Sequence, residues 1–447
     1  MLLAHGLRSD AISDDRSWPL RTPNLERLGQ QGLRLVAASA CPTDQGGWVS
    51  LLTGLHPRQH GLLADTPRVR LIDALPAWFA QAGYHVAGVG CVGMMEPLLH
   101  EAVAVEDVSV PEPARCAYWS AMQKQGLTDA LARQRRQRLR SGPFEPDRLL
   151  IEPEQDIDGF IARQAAAALE RMPTDRPWLL VVVFSGPGND LPPPPLYEQI
   201  VNPAHVRHGF TPADLTQLDA LAEPVYPRVM LQRLEPYAIG RIRADYLARV
   251  SMIDYSVGRL AAVLARRPDQ GRTWTMLSSD RGYLLGEHGL IGHRSFLAGA
   301  LEVPLVVTPP ANGSPLLAHT AEGLISTIDV AATAAAIGGC DLPPAVAGRS
   351  LLPLFQVDAV LPDPPGGNLS EFNDRLLLET DRYKAVFNTA TRVCLGLYDM
   401  LADPHERNNL LQTMEGVNLL DALRSRLSEA LLPLRAAGGA AVNGSHT

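Results

Sequence analysis

The segment that most limits what this chain can fold into runs from Leu33 to Gly61. Apolar residues Leu33 to Ala37 lead into a turn of small residues, Ala40-Cys41-Pro42-Thr43-Asp44-Gln45-Gly46-Gly47. A short helical pattern follows, and Gly54 and Pro57 stop it. A strand, a tight turn and a helix start in that order hold one side chain up at the mouth of an α/β sheet. The spacing predicts that this side chain is Asp44.

The same theme recurs along the chain. Leu2 to Ala4 reads as the end of a strand. Thr22 reads as an N-cap and Pro23 as the first residue of a helix. Leu71 to Ala82 reads as a helix closed by Gly83, and Tyr84 to Gly90 as a strand. Ile157 to Met172 and Ile242 to Arg266 have amphipathic helical spacing. Trp178 to Phe184, Trp274 to Ser278 and Val303 to Val307 are apolar runs of strand length. Ser326 to Ile337 reads as a helix before Gly338-Gly339. Ser9 to Trp18 and Gly186 to Pro195 read as loops, and residues 200 to 240 carry little pattern. Helices alternating with single apolar strands predict a mostly parallel sheet covered on both faces.

Beyond Gly348-Arg349-Ser350 the pattern changes. Leu376 to Glu379, Tyr383 to Asn388 and Val393 to Tyr398 are short strands with close turns, hence antiparallel. Leu419 to Leu432 reads as a closing helix. The expected organisation is an α/β domain over 1–345, an antiparallel sheet and helix over 346–435, and a frayed Ala/Gly-rich tail over 436–447.

A chain of 447 residues can bury a large core. Its formal charge of −8 argues against nucleic acid as a partner. The Arg133 to Arg140 cluster reads as a solvated helix face. No run of eighteen apolar residues predicts a membrane span. Met1 to Gly6 lacks the basic and apolar regions of a signal peptide, which predicts a cytoplasmic protein. The chain also begins inside a strand, so a missing N-terminal piece stays open. The cysteines Cys41, Cys91, Cys116, Cys340 and Cys394 are odd in number and form no CxxC pair, which predicts reduced, mostly buried thiols.

Together these segments resemble the sulfatase family of the alkaline phosphatase superfamily. The resemblance rests on Thr22-Pro23-Asn24-Leu25-Glu26-Arg27-Leu28, on Ser50-Leu51-Leu52-Thr53-Gly54 with His60-Gly61, and on Ser279-Asp280-Arg281-Gly282 with Gly286-Glu287-His288-Gly289. It continues through Val303-Pro304-Leu305, Ser326-Thr327-Ile328-Asp329, Gly348-Arg349-Ser350, Thr380-Asp381-Arg382-Tyr383-Lys384 and Leu397-Tyr398-Asp399 to Ala402-Asp403-Pro404. It implies an alkaline-phosphatase-like three-layer sandwich with a mostly parallel central sheet and a small C-terminal antiparallel α+β subdomain. It also implies a hydrolase of sulfate or phosphate esters. Such enzymes hold a divalent cation, usually Ca²⁺, and use a formylglycine made from Cys or Ser, with Lys, His and Arg neutralising the ester oxygens.

Position by position, the resemblance weakens at the chemistry. His5-Gly6 stands where the family has two aspartates. Asp44 occupies the nucleophile slot, and Trp48 the slot of an arginine. Gly90-Cys91-Val92-Gly93 replaces Gly-Lys-x-His, and Pro187-Gly188 replaces Pro-His. Asp280-Arg281 replaces an Asp followed by Asn or His, and His293 falls in the slot of a distal lysine. Among these positions only Asp280 keeps the family residue. Cys41 or Thr43 as the true nucleophile would need a shift of register.

Two readings follow. In the first, Asp44 cannot be oxidised to an aldehyde and repels a sulfate ester. Arg281 then replaces the cation in a salt-bridge cluster with Asp44 and Asp280. The protein is a catalytically inactive homologue, with no cofactor, that binds an unidentified protein or small molecule. In the second, His5, Asp44, Asp280 and His293 form a rebuilt site for a transition metal such as Zn²⁺. The metal activates water in an active sulfuric or phosphoric ester hydrolase. On either reading His60 and His288 serve packing or turns, and Cys91 is a buried thiol. Trp48 either packs or narrows the cleft.

Overall fold

The computed structural model describes the chain except residues 13–17, 64–73, 94, 96–98, 106–115, 145–146, 207–219, 227–234, 311–322, 357–359 and 442–447. Its strands are β1 (Leu2–His5), β2 (Leu33–Ala38), β3 (His85–Gly90), β4 (Glu101–Ala104), β5 (Trp178–Pro187) and β6 (Thr275–Ser279). A ribbon of β7 (Leu284–Leu285) and β8 (Ile291–Gly292) precedes β9 (Glu302–Thr308). Among the described residues the central sheet has seven strands, ordered β2-β9-β6-β1-β5-β3-β4. β1 runs parallel to β5 and β6, and β3 parallel to β4 and β5. β9 runs antiparallel to both β2 and β6.

The central strand shows why the sheet is covered on both sides. Successive strand residues point to opposite faces. Leu180, Val182 and Phe184 of β5 join one core, and Leu179, Val181 and Val183 join the other. Helices Ile157–Arg171 and Pro236–Leu264 supply the first core. Helices Asp44–Thr53, Leu75–Gln81 and Ile328–Gly338 supply the second. The three-layer α/β sandwich follows from this double burial.

Four antiparallel strands form the C-terminal sheet: β10 (Asn368–Phe372), β11 (Arg375–Glu379), β12 (Tyr383–Asn388) and β13 (Cys394–Asp399). One face packs Leu369, Leu376 and Leu378 under Leu423, Leu427 and Leu431 of helix Met414–Ala441. The other face sends Phe372, Leu377, Val386 and Tyr398 into the main core. β10 also reaches the turn before Asp44: the Glu371 N–H donates to the Ala40 carbonyl at 2.9 Å, and Ser370 Oγ donates to the Ser39 carbonyl at 2.7 Å.

Several boundaries differ from the sequence reading. Thr22 precedes its helix, but its side chain makes no capping bond; instead its N–H donates to Glu26 Oε1 at 3.1 Å. The long helix begins at Pro236, whose missing N–H costs nothing in a first turn. β5 continues to Pro187, and Pro195–Glu198 is a helical turn, so Gly186 to Pro195 is not all loop. Within Ser9 to Trp18, Asp10–Ile12 forms a 3₁₀ turn, while 13–17 lie outside the described residues, as do 71–73 of the Leu71 helix. Leu351 and Leu354 belong to the core beneath the central sheet. The closing helix runs from Met414 to Ala441, and 442–447 lie outside the described residues. No described helix is long and apolar enough to cross a membrane.

Candidate functional site

β1 and β6 are parallel neighbours, with Ala4 opposite Ser279. The next residues, His5 and Asp280, therefore emerge side by side at the C-terminal edge of the sheet. His5 Nδ1 lies 2.9 Å from Asp280 Oδ2. Asp280 Oδ1 accepts from the Gly6 N–H at 3.1 Å. The Asp280 side chain has no solvent exposure.

The turn after β2 delivers Asp44 to the same place. Thr43 caps the helix Asp44–Thr53, its Oγ1 accepting from the Gly46 N–H at 3.2 Å. Asp44 is the first helical residue, where the backbone dipole favours an anion. Gly47 lets this helix turn sit against β6, since a Cβ there would lie 2.9 Å from the Asp280 carbonyl oxygen.

Arg281 fills the space between the two carboxylates. Its side chain is 2% exposed. Nε lies 3.0 Å from Asp44 Oδ1 and 3.7 Å from Asp280 Oδ2, and Nη2 also donates to Asp44 Oδ1. The guanidinium lies over the Tyr283 ring, 5.9 Å from its centroid. His5 Nε2 and His293 Nε2 stand 3.4 and 3.5 Å from Asp44 Oδ1. One carboxylate oxygen thus faces nitrogens of three side chains. Trp48 stacks on His5 with ring centroids 5.9 Å apart, and its indole N–H reaches His5 Nδ1 at 3.2 Å.

The charges are mutually set. Burial alone would raise the Asp44 pKa, but His293, Arg281 and His5 overcome it and hold the carboxyl well below the usual range. Burial opposes the charge on Arg281, and Asp44 and Asp280 more than offset that. Burial and Arg281 disfavour protonation of His5, yet Asp280 pushes the imidazole up to about 9.

The sequence reading missed the group packed beside this cluster. Tyr226 and Tyr283 both donate their hydroxyls to Asp190. Burial raises the Asp190 carboxyl, opposed by Arg138 and the two tyrosines. Nothing in the local pattern around Asp190 marks it; three distant segments create the contact.

Other expected positions resolve plainly. Cys41 is fully buried, with Sγ 3.3 Å from Thr43 Oγ1 and 3.8 Å from the Leu62 carbonyl. Thr43 is used as the cap. Neither residue stands where Asp44 does at the head of the helix. His60 bridges Ser50 Oγ (2.9 Å) and the Leu62 N–H (3.2 Å). His288 sits in a short turn with φ 52°. Cys91 is half-buried at the end of β3. Gly188 lies so close to Tyr283 that a Cβ would come within 2.9 Å of its ring.

The donor set can be tested against a divalent cation. Ca²⁺ takes six to eight oxygen ligands. Here Asp280 Oδ1 is bonded by an N–H, Oδ2 faces an imidazole, and a charged guanidinium lies on Asp44. These residues do not fit Ca²⁺. The nitrogens of His5 and His293 suit a transition metal better, but the same guanidinium stands among them. Among the described residues, no group of three or more His, Cys, Asp or Glu is arranged to hold a metal ion.

Comparison with known proteins places this architecture. A family model described as Sulfatase matches residues 9–340. The uncharacterized sulfatase YidJ of Escherichia coli K12 is 24% identical over 440 residues, covering 93% of this chain and 82% of that protein. An arylsulfatase of Clostridium perfringens is 20% identical over 471 residues, covering 96% and 93%. The solved structure of the phosphonate monoester hydrolase SpPMH from Silicibacter pomeroyi superposes with a TM-score of 0.78 at 19% identity, covering 96% of each chain. With the family motifs held in this sandwich and the match spanning most of its length, the chain belongs to the sulfatase family.

Proposed function

We propose that this protein is a non-hydrolytic member of a family of sulfuric ester hydrolases and acts by binding a small molecule or a protein. The observation that carries this reading is the ion pair of Asp44 with Arg281. A carboxylate cannot be converted to the aldehyde that formylglycine chemistry needs. Held anionic at the cleft mouth, it also repels a sulfate or phosphate ester. Its oxygen is already engaged by Arg281, with His5 and His293 alongside. The net charge of −8 supports a partner that is not nucleic acid.

Purified protein assayed with aryl sulfate and aryl phosphate esters, with and without Ca²⁺, Mn²⁺ or Zn²⁺, should give no turnover above background. Turnover that Asp280→Ala abolishes would overturn the reading. The convergence of His5 and His293 on Asp44 supports a second reading, a rebuilt transition-metal hydrolase. Elemental analysis of the purified protein separates the two, since the second requires a stoichiometric metal.

A further inference from the structure

We propose that a cavity at the N-terminal edge of the central sheet, remote from the Asp44–Arg281 cluster, is a binding site for a small aromatic carboxylate. Trp178 opens β5, Trp274 immediately precedes β6 and Tyr84 immediately precedes β3. These strand starts lie at the opposite end of the sheet from His5 and Asp280. At about 3.3 Å per residue, Trp274 stands roughly 20 Å from Asp280 along β6. Phe79 and Ile337, from the helices Leu75–Gln81 and Ile328–Gly338, join the strand starts around a cavity of about 400 Å³. That falls in the size range of small-molecule sites.

The walls are aromatic and apolar. Phe79 and Tyr84 meet edge to face with ring centroids 4.8 Å apart, and Trp274 meets Phe355 in the same way at 5.3 Å. The Tyr84 hydroxyl donates to the Gly338 carbonyl at 3.0 Å, and the Trp178 indole N–H donates to Asp269 Oδ2 at 2.8 Å. With those polar atoms engaged inside the protein, Tyr84 and Trp178 offer a ligand ring surface.

The rim carries the charge. Asp269 is neutralised by Arg267, whose Nε and Nη2 lie 2.9 and 2.8 Å from its two oxygens. The other ionised side chains of the lining are two guanidiniums, Arg176 and Arg272, against one carboxylate, Asp175. Arg176 is steadied by His85, whose Nδ1 lies 3.0 Å from its Nη2, and Arg272 is exposed. A planar aromatic acid complements both parts: its ring suits the walls, and its carboxylate suits the forked donors of arginine. The cavity shares no residue with the Asp44–Arg281 cluster. Ester turnover would defeat the proposed function and leave this inference standing.

The test titrates the full chain with 2-naphthoate and with its uncharged analogue 2-naphthamide, read by calorimetry and by quenching of tryptophan fluorescence. Met1 also lines the cavity, so the protein carries no N-terminal tag. Wild type should bind one 2-naphthoate per chain and bind the amide more weakly. Arg176→Gln combined with Arg272→Gln should weaken 2-naphthoate roughly tenfold and erase its preference over the amide. Arg133→Gln, which removes an exposed arginine elsewhere, should leave both affinities unchanged. Ile337→Trp, which fills the cavity, should abolish both. Wild type that shows no saturable one-to-one binding would overturn the proposal. So would equal affinity for acid and amide, an unchanged preference in the double arginine variant, an equal loss in Arg133→Gln, or full binding by folded Ile337→Trp. Arg176 and Arg272 are exposed, so their variants decide the question even where Ile337→Trp does not fold.

Discussion

Asp44 and Arg281, 237 residues apart in sequence, meet so that Nε and Nη2 of the arginine both donate to one oxygen, Asp44 Oδ1. The arrangement differs from a fork-to-fork pair, in which each nitrogen takes its own oxygen. It is asymmetric in exposure as well: Asp44 is 45% exposed and Arg281 2%. The arginine is the anchored partner, and the aspartate closes over it from the solvent side.

That asymmetry predicts unequal costs. Arg281→Met leaves the fully buried Asp280 with His5 and the Gly6 N–H but without the guanidinium, and breaking a buried pair from one side typically costs ~3–5 kcal/mol. Asp44→Asn removes a solvent-screened charge and should cost about 1 kcal/mol. The double variant should cost less than the sum, because both changes remove one interaction. Urea denaturation of the three variants checks this. Equal losses for the two single variants would contradict the assigned anchoring.

The cluster also sets a pH window. His5 is pushed up to about 9 by Asp280, against an ordinary histidine near ~6.5. Its contribution is therefore fully present below about pH 6.5, and it is lost as pH rises through about 9. Asp44 is shifted the other way, so its contribution is present above the unfolded carboxylate pKa and lost as pH falls below it. Wild type should lose stability between neutral pH and pH 9, and His5→Gln should lose less over the same interval. Denaturation midpoints against pH, with an NMR titration of the His5 ring, measure both.

Much of the fold was legible because burial writes itself into sequence. Trp178 to Phe184 is apolar throughout because both faces of β5 are covered, and a run of that length reads as a central strand. β10 was not legible. Asn368-Leu369-Ser370-Glu371-Phe372 is fully buried, yet its polar members are satisfied by distant partners: Ser370 by the Ser39 carbonyl, Glu371 by both nitrogens of an Arg58 fork at 2.7 and 2.8 Å. The direction of β9 was equally invisible, since hydrophobic pattern is blind to whether a strand runs up or down. In the site, position along the family motifs located His5, Asp44, Asp280, Arg281 and His293. The stacking of Trp48 on His5, and the pairing of Tyr226 and Tyr283 on Asp190, depend on side-chain direction and needed coordinates.

His60 offers a prediction away from the ion pair. It accepts from the Leu62 N–H at Nδ1 and faces Ser50 Oγ at Nε2, which requires the neutral ring. Burial lowers its pKa to about 4. The depressed value means that its contribution is present above about pH 6.5 and is lost as pH falls, because the unfolded ring protonates first. His60→Ala should cost roughly 1–2 kcal/mol, leaving Ser50 and the Leu62 N–H short of a partner. It should also flatten the acid side of the stability profile. Urea midpoints at pH 7 and pH 5 test this, and an unchanged pH slope would count against it.

Lys384 shows how the C-terminal sheet is fastened beside the site. Its side chain is 1% exposed, with Nζ 2.8 Å from Glu406 Oε1 and donating to the Phe296 carbonyl at 3.4 Å. Glu406 Oε2 in turn accepts from the Ala298 N–H at 2.9 Å. The lysine on β12 therefore holds the segment that follows His293. Burial opposes its charge, but Glu406, Glu379 and Glu302 together raise its pKa. Lys384 lies among these three glutamates, and burial raises the Glu302 carboxyl to about 7 while Lys384 lowers it. Lys384→Met should cost ~3–5 kcal/mol in urea denaturation. The loss should be smaller at pH 5 than at pH 8, because protonating Glu302 relieves part of the uncompensated charge. A Glu406→Gln change made in the Lys384→Met background should recover part of the loss at pH 8. If it recovers none, the cost lies in packing of the lysine stem and not in the charge it balances.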